Sequence, residues 1–356
     1  MRTAVRLTRM RGRSVVLALI AALLFGASTP LAKRLLVAID PLMLAAWLYL
    51  GSGIGLGIVL AIRTTLARAL PTLPHRRDAF ALAGAIALGG VAAPILFING
   101  LAVTAATSAS LLLNFEAAFT AVFAWTFFRE NVDRRIAIGM VAIVAGGIVL
   151  SLDGGSRGGS LAGTLLIVAA CAAWALDNNL TRKASGADAM ALACIKGVVA
   201  GSVNLAIALI ADAPWPAMAD VASATALGFA AYGVSLTLFV VALRELGASR
   251  TSAYFSTAPF FGALLALALS PVPATPLLLL AALLMAAGVW LHLTERHEHP
   301  HRHAPLAHVH AHVHDEHHRH SHDETWDGTE PHTHEHVHEP LEHSHPHYPD
   351  LHHRHH

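Results

Sequence analysis

Between Ser14 and Thr294 the chain is a series of long apolar runs separated by short polar connections. The runs are about 18 to 24 residues long, the length a helix needs to cross a hydrocarbon core of about 30 Å. Inside lipid every backbone N–H and C=O needs an internal partner, which leaves helices or closed barrels. Barrel strands are about ten residues long and alternate in polarity, whereas these runs are longer and continuous. The pattern therefore predicts a helical bundle with spans near 15–36, 41–62, 79–101, 104–128, 136–152, 161–181, 189–211, 221–243, 250–270 and 275–294. Composition agrees: of 356 residues, 55% are hydrophobic and 13% charged, against about 25% charged in an ordinary soluble domain.

Charge adds direction. The N-terminus carries Arg2, Arg6, Arg9, Arg11 and Arg13; every second connection after it carries Arg63, Arg68, Arg76 and Arg77, then Arg129, Arg134 and Arg135, then Arg182 and Lys183, then Arg244 and Arg250. The opposite connections hold Lys33, Arg34 and Arg157. By the positive-inside rule both termini face the cytoplasm, and a bacterial inner (plasma) membrane is the expected location. The basic start followed by an apolar run has the look of a signal peptide, but the run continues to Leu36 and is read as an uncleaved first span. Gly51, Gly53, Gly55 and Gly57 form overlapping Gly-x-x-x-Gly pairs suited to close helix packing. Pro94 and Pro259 fall within the third and ninth spans, where each removes a hydrogen bond and can kink its helix. Cys171 and Cys194 read as small apolar fillers.

The two halves repeat. Ala21–Lys33 (AALLFGASTPLAK) and Ala170–Arg182 (ACAAWALDNNLTR) both place an aromatic residue, Phe25 or Trp174, eight residues before a cation, Lys33 or Arg182. Leu96-Phe97 and Leu101 align with Leu238-Phe239 and Leu243, and in the same register Ala106–Ala121 aligns with Ala248–Ala263. Five spans per half is an odd number, so the halves enter the membrane from opposite sides. The expected fold is all-α integral membrane: ten transmembrane helices as two inverted five-helix repeats. Secondary transporters are often built so, with a binding site near the midplane between the repeats. The expected divisions are a basic N-terminus (1–13), the first repeat (14–152), a linker (153–160), the second repeat (161–294) and a tail (295–356).

These segments, above all Ala109–Glu130 (ASLLLNFEAAFTAVFAWTFFRE), resemble the drug/metabolite transporter superfamily and within it the EamA-type group. In that group the stretch runs from small residues through Glu-Pro-Val-Phe to a closing Gly-Glu. Here Glu116 holds the acid position, Ala117 replaces the proline, and Arg129-Glu130 closes the span; the second copy keeps Pro259 but has Ala258 for the acid. The resemblance covers residues 14–294 and implies a transporter fold. It is nearly silent on cargo, because the implied range includes amino acids, nucleotide sugars, polyamines and drugs.

An ionisable side chain inside a span is expensive and therefore a functional candidate. Glu116 lies mid-span, Lys196 about eight residues into the seventh span, and Asp177 one turn inside the cytoplasmic end of the sixth, followed by Asn178 and Asn179. Glu116 suits a proton or cation carrier that alternates between charged and neutral forms; a structural acid paired across helices is the competing reading. Lys196 suits recognition of an anionic solute; the competing role is structural, an ion pair with Asp177 or Glu116 or snorkelling toward the cytoplasm. Asn114 and Ser256 hold equivalent places in the repeats and are the neutral cavity candidates. Asn99, Asn204, Tyr232, Tyr254 and Thr257 are further intramembrane polar groups, and Trp47, Tyr49 and Trp125 read as packing or interfacial anchors.

Beyond Arg296 the composition changes: 23 of the 25 histidines lie in 297–356. Many alternate with one other residue: His297, His299, His301 and His303; His308, His310, His312 and His314; His332, His334, His336 and His338; His343, His345 and His347. With acids and prolines interspersed and little apolar content, the tail is expected to be disordered. Imidazole suits zinc, nickel, cobalt and copper, so the tail is a candidate divalent-metal binder. The function expected is secondary transport of a small organic metabolite or drug, most simply export, with no required cofactor. The expected partners are that solute, membrane lipid and a divalent metal at the tail, and a homodimer is compatible with the pattern. The alternatives are a transition-metal or metal-chelate carrier that uses the tail for sensing or delivery, and a non-transporting membrane metal buffer. Nucleotide-binding loops, zinc-protease motifs and nucleophile arrangements do not stand out in the spans, so neither an enzyme nor a nucleic-acid partner is expected.

Overall fold

The computed structural model describes residues 2–67, 70–75, 78–128, 134–154, 160–181, 188–246, 251, 254–269, 274–294, 297–303, 306–312, 332–338 and 341–347. The chain divides into two units, Met1–Thr294 and Glu295–His356.

The first unit is helical. Among the described residues eight helices have the length and composition to cross a membrane, from Arg13–Leu35 to Met218–Ala242, and two shorter apolar helices, Ala258–Leu269 and Pro276–Leu291, follow them. The first span is α1 (Arg2–Leu35) and the second α2 (Pro41–Ala67). The third is composite: α3 (Ala79–Ala85), a π-helix (Ile86–Ala92) and α4 (Ala93–Ala102). The fourth is also broken, into α5 (Ala106–Leu112) and α6 (Phe115–Phe128). The fifth, sixth and seventh spans are α7 (Arg134–Gly154), α8 (Leu161–Thr181) and α9 (Ala189–Ile210). The eighth repeats the composite form, with α10 (Met218–Gly228), a second π-helix (Phe229–Val234) and α11 (Ser235–Leu246). The ninth contains α12 (Ala258–Leu269), and the tenth is α13 (Pro276–Leu293).

Local chemistry explains several boundaries. Asp40 accepts the Leu42 N–H at 2.8 Å ahead of Pro41, and Thr275 accepts the Leu278 N–H at 3.0 Å ahead of Pro276. A side-chain acceptor followed by proline starts a helix with its first orphan donors satisfied. At the end of α9 the Ala213 N–H reaches the Ala208 carbonyl and the Asp212 N–H reaches Leu209. Asp212 sits at φ 51°, the left-handed residue of a Schellman stop. The two intramembrane prolines are placed differently. Pro259 is the second residue of α12, after the break at Ser256-Thr257, where a missing N–H has no intrahelical partner to lose. Pro94 lies within the unbroken helical run Ala79–Ala102, directly after the π-helix, where it removes a hydrogen bond; the Gly89 and Gly90 carbonyls before it accept side-chain donors.

The repeat governs the packing. The register that pairs Leu96 with Leu238 carries Ile86–Ala92 onto 228–234, one residue from the second π-helix. The break at Leu113-Asn114 in the fourth span likewise corresponds to the break at Ser256-Thr257 in the ninth. The first span packs on the eighth and ninth, and the sixth packs on the third and fourth. The second packs on the seventh and the fifth on the tenth, so exchanging the halves leaves this pattern unchanged. Glycine permits the closest crossing. A Cβ on Gly53 would strike the backbone of Gly197 and Val198, and a Cβ on Gly197 would strike Gly53.

Let the far end of the bundle be the one where α1 finishes, and the near end the one where it starts. Ala32, Met43, Leu44, Ile98 and Leu101 are fully buried toward the far end. Lys33 ties that end together by donating to the Leu101 and Ala102 carbonyls at 2.7 and 2.8 Å. These are the last carbonyls of α4, which a cation at a helix C-terminus satisfies.

In the second unit, read from composition as disordered, the structure describes four strands: β1 (His297–His303), β2 (Leu306–His312), β3 (His332–His338) and β4 (Leu341–His347). β1 pairs with β4 and β2 with β3, both antiparallel. The difference has a simple origin: the alternation of histidine with one other residue is a period of two, which is the period of a strand.

Candidate functional site

One face of α8 organises the polar interior. Trp174, Asp177, Asn178 and Thr181 follow the i, i+3, i+4, i+7 spacing that aligns side chains along a helix. The face points at Glu116 on α6, Lys196 on α9, Tyr49 on α2 and Gly89 in the first π-helix.

Lys196 Nζ donates to both carboxylate oxygens of Asp177, at 2.5 and 2.8 Å, and to Thr181 Oγ1 at 3.2 Å. Thr181 Oγ1 in turn donates to Asp177 Oδ1 at 2.8 Å. An ammonium has three N–H donors, and here all three are taken. Of the two roles the sequence allowed for Lys196, the structure places it in the ion pair. The pair is well shielded, with 18% of the Lys196 side chain and 9% of the Asp177 side chain exposed.

Glu116 is different. It lies in the first turn of α6, immediately after the break in the fourth span. Its Oε1 accepts from Asn178 Nδ2 at 2.7 Å. Among the described residues Oε2 takes no partner. Glu116 is half-buried and Asn178 exposed although both lie inside the bundle, so the cluster borders accessible space.

Aromatic rings pack beside the cluster. Tyr49 and Tyr232 stack with centroids 5.7 Å apart, and Phe25 meets Tyr232 edge-on at 5.8 Å. The Tyr49 hydroxyl and the Trp174 Nε1–H both donate to the Gly89 carbonyl, at 2.8 and 3.0 Å. Tyr49 lies within electrostatic range of Asp177 and Glu116. Gly89 is required here because a Cβ would occupy the place of the Asp177 carboxylate. Tyr49, read from sequence as a packing or interfacial anchor, lies in the interior. Its capacity to bury a ring while its hydroxyl finds a carbonyl suits either place. Phe25, Gly89 and Thr181 carry no signal that sets them apart from ordinary residues of a span.

Asn114 is buried in the break of the fourth span, donating to Leu111 O at 2.8 Å and to Met285 Sδ at 3.9 Å. Ser256 is half-buried in the break of the ninth. Asn204 Nδ2 donates to Gly90 O at 2.9 Å, while its Oδ1 is buried without a partner in the structure. Cys171 and Cys194 are free thiols directed at the Leu112 and Gly53 carbonyls. Arg182, Lys183, Arg129 and Glu130 lie outside the described residues, as does His314 in the tail.

At the near end Arg63 pairs with Asp188 at 2.5 Å, and Asp188 also caps α9 by accepting the Met190 and Ala191 N–H groups at 3.0 and 3.2 Å. Burial pushes the Asp188 carboxyl up, but the Arg63 guanidinium and the two backbone donors outweigh it and hold the group below its ordinary value. The pair borders a small cleft that also touches Leu56 and Thr237.

With this geometry in hand, three comparisons bear on the chain. The model of the EamA-like transporter family matches it twice, over residues 12–152 and 161–294. An "uncharacterized transporter" of Methanothermobacter thermautotrophicus is 30% identical over 286 residues, covering 76% of this chain and 83% of the relative. A solved crystal structure superposes with a TM-score of 0.57 at 18% identity, covering 78% of this chain and 97% of the other; at that identity the likeness concerns the fold.

Proposed function

Because the chain belongs to the EamA-like transporter family, we propose that it is a secondary carrier that exports a small organic metabolite or drug in exchange for protons. The observation that carries the reading is the Glu116 carboxyl, half-buried in the interior at the break of the fourth span, with Oε2 unpartnered among the described residues. A carboxyl so placed can hold a proton on one side of the membrane and release it on the other as access alternates. The arginine pattern supports a bacterial inner membrane with both termini cytoplasmic. The near end is then cytoplasmic, and a far end tied by Lys33 would leave the site facing the cytoplasm, as an exporter loads.

Efflux identifies the cargo. Cells lacking or overproducing the chain are loaded with a panel of amino acids, amines, drugs and divalent metals, and retention is followed. The expected outcome is faster loss of one organic class with the intact chain and none with Glu116→Gln. Retention that never depends on the chain would remove the carrier reading. A response confined to metals would favour the metal-carrier alternative.

The tail supports a second, separate role as a divalent-metal binder, with zinc, nickel, cobalt or copper as ligand. The strand register favours it: His297, His299 and His301 fall opposite His347, His345 and His343, and His308, His310 and His312 opposite His336, His334 and His332. Residues directly opposite in an antiparallel pair have Cβ atoms about 5 Å apart, a spacing from which two imidazoles can reach one ion.

A further inference from the structure

We infer that the interior site selects organic cations, amines or quaternary ammonium groups on a compact apolar body, with Glu116 as their counter-ion. This rests on the carrier reading and names its cargo class.

The first ground is charge. Among the described residues around the α8 face, the interior holds two carboxylates, Glu116 and Asp177, and one ammonium, Lys196. Lys196 is fully engaged by Asp177 and Thr181, so that pair is neutral and has no donor left for an anionic cargo. One negative charge remains, on Glu116. An anion would meet net repulsion there. A neutral solute is accommodated only once Glu116 has taken up a proton, because an ionised carboxylate with a single hydrogen bond is costly in low dielectric. A monovalent cation matches the ionised form directly.

The second ground is the aromatic cluster beside the carboxylate. Tyr49, Trp174, Tyr232 and Phe25 gather there, Trp174 on the same α8 face as Asp177 and Asn178, and each ring is half-buried. Aromatic faces attract cations, and most strongly those already stripped of water. A quaternary ammonium holds its hydration loosely and cannot donate hydrogen bonds. It therefore loses little by leaving water for rings and one carboxylate.

Coupling follows from the same count. A proton and an organic cation each neutralise Glu116, so the two compete for one group. The other titratable groups near it are Asp177 and Cys171 on α8, Lys196 on α9 and Tyr49 on α2; Asp177 and Lys196 cancel, and Cys171 and Tyr49 are neutral. One proton therefore exchanges for one unit of positive charge.

The test uses the purified full chain in lipid nanodiscs with radiolabelled benzyltrimethylammonium. Saturable binding that weakens on acidification is expected. Choline should displace the label at least about tenfold better than dimethylbutanol, its uncharged carbon isostere. Glu116→Gln should weaken binding about tenfold or more and abolish its pH dependence, while Glu116→Asp keeps that dependence and shows that the fold tolerates change there. The inference is overturned if no saturable binding occurs, if dimethylbutanol competes as well as choline, if phenylacetate binds better than the cation, or if the pH dependence survives in Glu116→Gln. A chain that accumulates some solute under a pH gradient but fails these arms keeps the carrier reading and loses this one. A chain that binds the cation but moves nothing keeps the site and loses the carrier.

Discussion

Lys196, Asp177 and Glu116 differ in what surrounds them, and their substitutions should differ accordingly. Removing one partner of a buried ion pair strands the other charge, at a cost of about 3 to 5 kcal/mol. Lys196→Met should therefore lower the unfolding midpoint in detergent markedly, and Lys196→Met with Asp177→Leu should recover most of the loss. Additive losses in the double variant would show that the pair does not act as a unit. Gly89→Ala should also be destabilising, since its Cβ meets the Asp177 carboxylate. The three ionisable residues were legible in the sequence because a charge inside an apolar run stands out. Which two of them pair was not, because that depends on how α8 and α9 are turned. Phe25, Tyr49 and Gly89 were not legible as site residues at all, since spans commonly contain aromatics and glycines for packing alone.

The boundaries and breaks of helices decide where the interior is soft and where it is tied. Asp188 does two things at the start of α9, and substitutions separate them. Asp188→Asn keeps a capping acceptor but loses the ion pair with Arg63; Asp188→Ala loses both and should be less stable by a further ~1 kcal/mol. Because the folded carboxyl is held below its ordinary value, the stability it contributes is complete above the unfolded value of about 4. It is lost as pH falls through the folded value. The gap between the native protein and Asp188→Asn in thermal unfolding should thus be constant near neutrality and close in strong acid; a gap that widens on acidification would contradict this assignment. At the far end, Lys33→Ala removes two charge-assisted hydrogen bonds, worth about 1.5 to 3 kcal/mol each. A cysteine placed at buried Thr104, in a background lacking Cys171 and Cys194, should then react at least about tenfold faster with a thiol reagent. An unchanged rate would show that Lys33 does not hold that end closed. The helices themselves followed from apolar run length, and the repeat from aligned residues. The paired π-helices did not, because π geometry leaves no distinct residue pattern, although Gly89, Gly90 and Pro94 mark where the first one sits.

The whole molecule joins an inverted-repeat bundle to a tail whose histidines fall opposite one another in two ladders. If metal binding depends on register and not on histidine content alone, rearranging 341–347 so that each histidine moves by one place should weaken zinc binding by the full-length protein by about tenfold or more. Unchanged affinity would leave composition as the whole explanation. The proposal that the tail binds metal could be read from composition alone, but the pairing of its segments needed the fold. The central proposal for the bundle is the link between Glu116 and proton movement, and it can be tested in proteoliposomes carrying only a pH gradient. The intact protein should accumulate its organic solute against a concentration gradient and lose that accumulation when a protonophore collapses the pH difference, and Glu116→Gln should show none under either condition. Full gradient-driven accumulation by Glu116→Gln would contradict a proton carried on this carboxylate.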